Sequence, residues 1–116
     1  MSEHDEQVAL FQWAATQVTQ HPELALLYSN QNAGKRSPGA ARWAIAEGLK
    51  AGIPDLHLPV ARGGYHGLFI EMKIGRNRPR ENQAWWLDQL HAQGYLAVVC
   101  YSWYEAAEVI KRYLEA

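Results

Sequence analysis

Three ionisable residues stand where the surrounding pattern indicates apolar strands. Asp55 follows Pro54 at the start of one apolar run, and Glu71 and Lys73 interrupt another. Charged side chains are seldom fully buried unless they are paired or bind a metal ion. Two carboxylates and a lysine could together hold a divalent cation and assist the hydrolysis of a phosphodiester bond.

The two apolar runs are predicted to form a β-hairpin. They cover residues 55–58 and 67–74, and the turn signal Arg62-Gly63-Gly64-Tyr65 lies between them. In a hairpin centred on the two glycines, paired positions sum to about 126, which places Asp55 opposite Glu71. Side-chain alternation places Glu71 and Lys73 on the same face of their strand, away from its Leu, Ile and Met side chains.

Facing carboxylates repel each other, so that either one takes up a proton or a cation lies between them. Oxygen ligands from Asp55 and Glu71 suit Mg²⁺ or Mn²⁺, and the backbone carbonyl of Met72 could add another oxygen. Lys73 could orient a water molecule or neutralise charge on a phosphoryl group. The alternative is an ordinary Glu71–Lys73 ion pair on an exposed strand, but the apolar flanks and the hairpin register favour the metal site.

The elements that must position these residues follow from caps and periodicity. We predict helices over roughly 4–20, from Ser37-Pro38 to about Lys50, from Pro79 to about Gln93, and from Ser102 to the C-terminus. Further strands are predicted over Leu24–Tyr28 and Tyr95–Tyr101, the latter buried on both faces. The resulting order predicts an α/β fold, in which helices flank a mixed central β-sheet.

Composition excludes several classes of protein. The 116 residues suit one domain, 1–116, and the net charge of -1 argues against indiscriminate nucleic-acid binding. A single cysteine, Cys100, excludes an internal disulfide and fits a reducing cytoplasm. No apolar run is long enough to span a membrane, and the acidic N-terminus does not resemble a signal peptide.

Gly34-Lys35 lacks the rest of a phosphate-binding loop, so no nucleotide cofactor is expected. All five tryptophans lie in predicted helices, where core packing is the default.

The pattern Pro54-Asp55, fifteen further residues, then Glu71-x-Lys73 resembles the signature of the PD-(D/E)XK nuclease superfamily. The chain is similar in particular to the VRR-NUC branch and to its short stand-alone phage and bacterial members, over almost the whole length. Matching stretches are residues 32–36, 47–55, 67–73 and 83–86, followed by Gly94-Tyr95. Ala33 replaces an expected glycine and Arg80 a common serine, but neither touches the metal motif.

The resemblance implies a restriction-endonuclease-like core and assigns roles to individual residues. Asp55 and Glu71 would bind the metal, Lys73 would be the catalytic lysine, and Gln83 would line the site. Glu6 on the first helix would reach the metal through water, with Glu3 as the alternative. The implied function is that of an Mg²⁺- or Mn²⁺-dependent, structure-selective DNA endonuclease, similar to a dimeric Holliday-junction resolvase acting on branched DNA.

Basic residues flank the predicted site in two clusters. Lys35, Arg36 and Arg42 form one, and Arg76, Arg78 and Arg80 form the other. Together with Asn32 they are the predicted DNA-binding set, contacting the phosphate backbone. Two alternatives stay open: a non-catalytic nucleic-acid-binding or assembly module on the same fold, and a restriction or anti-phage nuclease, for which 116 residues leave little recognition surface.

Overall fold

A computed structural model describes residues 1–30 and 36–116. Its sheet has the order β1-β2-β3-β4, with antiparallel β1–β2 and β2–β3 pairs and a parallel β3–β4 pair. The strands are β1 (Tyr28–Ser29), β2 (Leu56–Leu58), β3 (Leu68–Met72) and β4 (Leu96–Cys100). The helices are α1 (Glu3–Gln17), α2 (Pro38–Ala46), α3 (Glu81–Ala92) and α4 (Trp103–Leu114), with a 3-10 helix at Pro22–Leu26. The predicted α/β fold with a mixed sheet is confirmed.

The predicted hairpin register is also confirmed. His57 pairs with Phe69, with Leu56 opposite Ile70 on one side and Leu58 opposite Leu68 on the other. The turn closes through reciprocal backbone hydrogen bonds between Arg62 and Tyr65. Its two central glycines have positive φ angles of 58° and 86°, as a tight hairpin turn with right-handed twist requires.

The two faces of β3 carry side chains of different character. Leu68, Ile70 and Met72 belong to the hydrophobic core, which α1 and α4 complete with side chains such as Leu10 and Ile110. Packing this face against two helices removes it from water and supplies most of the driving force for folding. The other face carries the charged residues, although all five residues of β3 are buried. No helix in the described ranges is long and apolar enough to cross a bilayer.

Three helices begin at the serine N-caps that the sequence predicts. Ser2 and Asp5 exchange side-chain-to-backbone hydrogen bonds in a capping box, and the hydroxyls of Ser37 and Ser102 accept backbone N–H groups three residues on. Each bond satisfies a donor that the first helical turn leaves unpaired. The last cap is important for the site because it starts α4 directly beyond β4.

The predicted strand Leu24–Tyr28 is wrong. Residues Pro22–Leu26 form a 3-10 helix, and only Tyr28–Ser29 pair as a strand. Leu24 and Leu27 are the buried residues of the segment, so its burial repeats every three residues rather than every two. Pro22 at the first position starts the turn because it has no N–H to leave unsatisfied.

Several element ends differ from the prediction. α1 ends at Gln17, α2 ends at Ala46, and α3 begins at Glu81. Gly48 has a φ of 109°, which explains why α2 cannot continue to Lys50. β4 is half-buried rather than buried on both faces, because it lies at the edge of the sheet formed by the described residues.

Gly52 should be the more sensitive of two glycines with similar backbone angles. A Cβ at Gly52, φ 90°, would lie 3.0 Å from atoms of Asn82 on α3, whereas a Cβ at Gly48 would meet nothing within 4 Å. Gly48→Ala should therefore cost only the left-handed strain of about 1–2 kcal/mol, and Gly52→Ala should cost more. Urea unfolding of both variants measures the difference, and equal losses would contradict the close contact.

Candidate active site

Asp55 is tied to the end of β3 by its side chain. Its Oδ2 accepts a hydrogen bond of 2.9 Å from the backbone N–H of Met72, the residue after Glu71. In an extended strand the N–H and C=O of one residue point to the same side. The carbonyl of Met72 therefore also points to the side of β3 on which Asp55 lies.

Glu71 is the most deeply buried charged residue in the described chain, with 2% of its surface exposed. Its Oε2 accepts a hydrogen bond of 2.9 Å from Nε2 of Gln83 and lies 3.5 Å from Nζ of Lys73. Its Oε1 is buried with no hydrogen-bond partner. A buried carboxylate oxygen without a donor costs free energy, because it has lost its water and gained nothing in exchange.

Burial is the main reason that the pKa of Glu71 is raised to about 7. The negative charge of Asp55 raises this pKa further, and the ammonium group of Lys73 acts in the opposite direction. Lys73 is itself only 7% exposed. Two carboxylates and one ammonium group thus meet where Glu71 and Lys73 are buried and Asp55 is half-buried, and the positive charge does not offset the whole cost of ionising Glu71.

Gln83 is oriented by the start of α3. Its Oε1 accepts the backbone N–H of Arg80 at 2.8 Å, in the manner of an N3 residue that caps its own helix. Since the amide oxygen is used in this way, the amide nitrogen must be the group that faces Glu71. One side chain therefore both begins α3 and donates a hydrogen bond to the site.

The sequence pattern does not predict two residues that hold the Asp55 segment in place. Asn30 donates its side-chain amide to the carbonyl of Pro54 at 3.0 Å, and its backbone N–H bonds to the carbonyl of Asp55. Trp86 on α3 donates its indole N–H to the carbonyl of Ala51 at 3.1 Å. Asparagine and tryptophan in such places are common, so nothing in their spacing identifies them.

The residues present fit a hard divalent cation. The unpartnered Oε1 of Glu71 is the observation that favours one, because a cation would supply the missing partner. Within the described residues no group of three or more His, Cys, Asp or Glu side chains could hold a metal ion. The protein ligands would accordingly be Asp55, Glu71 and the carbonyl of Met72, and water or phosphate oxygens would complete the shell, as Mg²⁺ prefers.

Glu6 lies at the same end of the sheet but binds another group. Its carboxylate accepts the backbone N–H of Trp103 at 2.8 Å, and α4 begins there, just beyond the β4 residue that pairs with Met72. Its negative charge therefore stabilises the N-terminus of α4. A water-mediated contact from Glu6 to a metal stays a prediction, and the first helix is anchored to this end of the sheet in either case.

Four of the predicted DNA-binding arginines are exposed and available. Arg76, Arg78 and Arg80 follow β3 directly, and Arg42 lies on α2. None of the four forms an ion pair within residues 1–30 and 36–116. Arg36 is exposed as well, whereas Asn32 and Lys35 lie outside the described residues. The segment from β3 to α3 is therefore a basic surface beside Glu71.

Core packing is the wrong expectation for two of the tryptophans. Trp43 on α2 is 74% exposed and Trp85 on α3 is 55% exposed. A helical hydrophobic pattern indicates which residues share a face but not whether another element covers that face. For α2 nothing in the described chain does so, since the helix has no buried residue.

His57 and Cys100 are structural neighbours of the site. The ring of His57 stacks on Phe69 with centroids 4.0 Å apart, and burial lowers its pKa. Its Nδ1 is 2.7 Å from the hydroxyl of Tyr28. Cys100 is buried and its pKa is raised to about 12, chiefly by burial, so that its thiol stays protonated and unreactive.

The chain resembles known proteins along most of its length. The profile of the VRR-NUC domain matches residues 1–103. The chain belongs to the VRR-NUC domain family. A solved structure described as a VRR_NUC domain protein superimposes with a TM-score of 0.83 at 30% sequence identity, covering 99% of this chain and 89% of that one. No curated protein matches the chain. The VRR-NUC domain is of the nuclease type.

The metal-free domain should lose stability as Glu71 ionises. The folded-state pKa of about 7 lies above the unfolded value of 4.5, so the stabilisation present below pH 4.5 is lost as the pH rises through 7. In EDTA, Glu71→Gln should therefore become progressively more stable than the wild type over this range, by up to about 3 kcal/mol. Thermal unfolding against pH measures the difference.

The matched control is Glu47→Gln, which changes an exposed glutamate at the end of α2. Its stability relative to the wild type should stay level over the same pH range. A flat difference for Glu71→Gln as well would contradict the raised pKa.

Proposed function

We propose that this VRR-NUC domain is a divalent-metal-dependent endonuclease that hydrolyses phosphodiester bonds in DNA. The observation that carries the proposal is the buried carboxylate of Glu71, one of whose oxygens has no partner, beside Asp55 and Lys73. An unpaired oxygen is unusual in a purely structural ion pair, because most buried polar atoms are hydrogen-bonded. A carboxylate that lacks part of its set of hydrogen-bond donors is expected where the remaining partner, a metal ion, binds from solution.

Asp55, Glu71 and the carbonyl of Met72 would hold Mg²⁺ or Mn²⁺. When bound, such an ion polarises a phosphoryl oxygen and lowers the pKa of water. The chain itself fixes the geometry: Met72 holds the Asp55 carboxylate by its N–H, and Gln83 holds Glu71. Both carboxylates are thus ordered before substrate arrives, which lowers the cost of reaching the transition state.

Lys73 would act on the reacting phosphate. Its ammonium group lies beside Glu71 in a nearly dry site, where a positive charge interacts more strongly than it would in water. It can orient the attacking water and stabilise negative charge on the phosphoryl oxygens as the new P–O bond forms and the old one breaks. The products are a phosphate monoester and a free hydroxyl.

The arginines beside β3 support a nucleic-acid substrate. Arg76, Arg78 and Arg80 are exposed and unpaired within the described chain, so their charges are available for phosphates next to the one being cut. Because the net charge of the whole chain is -1, attraction to DNA depends on local basic surfaces such as this one. Binding should accordingly weaken as the salt concentration rises.

We also propose that the preferred substrate is branched DNA and that two copies act together. A symmetric dimer would present two sites to two strands, as resolution of a four-way junction demands. The uncovered helix α2 favours a partner copy, because Trp43 and Ile45 are 74% and 52% exposed and exposed apolar patches commonly mark interaction surfaces.

Loss of either site carboxylate or of the lysine should abolish cleavage. Asp55→Asn, Glu71→Gln and Lys73→Ala should each lower Mg²⁺-dependent turnover by on the order of 10²-fold or more, because each removes a group that acts on the transition state. The matched controls are Asp88→Asn on α3 and Lys111→Ala on α4, both exposed, and these should cleave like the wild type. Full Mg²⁺-dependent activity of Asp55→Asn would refute the assignment.

A panel of DNA structures tests the preference for branches. Four-way junctions, flaps and splayed arms should be cut in Mg²⁺ or Mn²⁺ faster than plain duplex or single strands. Sedimentation of the wild type beside Trp43→Glu should show a dimer that the charge on α2 disrupts. Equal rates on all substrates would reject the branched preference, and a monomeric wild type would reject the dimer, while leaving the nuclease assignment intact.

A further inference from the structure

Trp85 presents an exposed and well-supported aromatic ring at the beginning of α3. It is 55% exposed, and its ring stands edge-to-face on that of Trp86, with centroids 5.4 Å apart and an angle of 88°. Trp86 is in turn fixed by its hydrogen bond to the carbonyl of Ala51. The exposed ring therefore rests on an anchored neighbour, so a binding partner would lose little free energy in ordering it.

The depression beside this ring has mixed polar chemistry. Arg80, Glu81, Asn82 and Trp85 line it, and its volume of about 540 Å³ lies in the range of small-ligand sites. The carboxylate of Glu81 disfavours a phosphate group here. A nucleobase suits the same lining, because its flat face can stack on indole and its amino groups can donate to a carboxylate or an amide oxygen. Arg80 at the rim can meet the adjoining phosphate.

The position of Trp85 relative to the site is set by the helix. Gln83, two residues earlier, contacts Glu71, and with 3.6 residues per turn Trp85 points to nearly the opposite side of α3. Trp85 is therefore separated from Glu71 by the width of α3, roughly 10 Å. A base bound there would belong to a nucleotide near the cut phosphodiester but distinct from it.

We propose that Trp85, Arg80, Glu81 and Asn82 form a subsite for an unpaired base of the DNA strand that is cut. The base must be unpaired because the faces of bases within a duplex are covered by their stacked neighbours, and only a splayed base offers a face to indole. This inference rests on the proposed nuclease function and refines it: the branch that is recognised would carry a short single-stranded segment next to the cut.

Binding measurements on DNA that cannot be cut test the subsite directly. Glu71→Gln serves as the non-cleaving parent, and the probe is a duplex with a single-stranded arm that carries 2-aminopurine at one arm position at a time. One or two adjacent positions should show quenching on binding. Adding Trp85→Ala should remove the quenching and weaken binding of the armed DNA by on the order of 10-fold, the effect of losing one base stack.

Three controls test whether the effect is specific to the Trp85 ring and to the single-stranded arm. Trp85→Phe should retain part of the quenching, and both Trp85 variants should bind plain duplex as the parent does. Tyr104→Ala is the matched control, because Tyr104 is 67% exposed on α4 in a depression that Glu105 and Glu108 also line, and it should change nothing. Unaltered binding of armed DNA by Trp85→Ala, or an equal loss for armed and plain duplex, would overturn the proposal.

The outcomes also separate this inference from the proposed function. If the wild-type protein cleaves armed DNA and Trp85→Ala binds it unchanged, the subsite fails and the nuclease stands. If Trp85-dependent quenching is present but the wild type cuts no substrate in Mg²⁺ or Mn²⁺, the nuclease assignment fails and the base-binding surface stands.

Discussion

The carboxylate of Glu71 is the constraint around which the rest of the structure is arranged. It is buried in the middle strand pair of the sheet, close to Asp55, and only part of its hydrogen-bonding capacity is used. A fold selected only for stability would place an apolar residue at this position, because burying an incompletely paired charge costs free energy. The surrounding elements offset part of that cost with a hydrogen bond from Gln83 and the ammonium group of Lys73.

Opposite sides of the fold converge on this carboxylate. The antiparallel hairpin brings Asp55 beside the end of β3, and its side chain is fixed there by the N–H of Met72. From α3, Gln83 caps its own helix and donates to Glu71, while Trp86 ties the same helix to the segment before Asp55. The side chain that caps the start of α3 therefore also orients the carboxylate of Glu71.

The sequence predicts the parts of this arrangement that depend on strict local rules. Side-chain alternation and a two-glycine turn suffice to place Asp55 near Glu71, because a slip of one residue would turn the apolar side chains of β3 away from the core. Serine N-caps predict the starts of α1, α2 and α4 by another local rule, because a capping residue directly precedes the first turn of its helix. The orientation of the Gln83 amide, by contrast, depends on Arg80 being the N-cap of a helix that begins at Glu81, whereas Pro79 predicts an earlier start.

Features that depend on what covers a surface could not be predicted in this way. Trp43 and Trp85 lie in predicted helices, yet both are largely exposed, since a helical pattern does not reveal whether another element covers a given face. The same limit applies to Leu24–Tyr28, where a short continuous apolar run fits a turn of 3-10 helix as well as a strand. Asn30 and Trp86 act through backbone carbonyls distant in sequence, which no single-sequence pattern encodes.

The most direct test of the central claim is Mn²⁺ binding, followed by loss of the electron paramagnetic resonance signal of free Mn²⁺ on titration with protein above pH 7. If the unpartnered oxygen of Glu71 is kept for a metal ion, the wild type should bind Mn²⁺ at one site per chain in competition with Mg²⁺. Glu71→Gln and Asp55→Asn should lose that site, whereas Asp88→Asn should keep it. Unchanged Mn²⁺ affinity in Glu71→Gln would contradict the account.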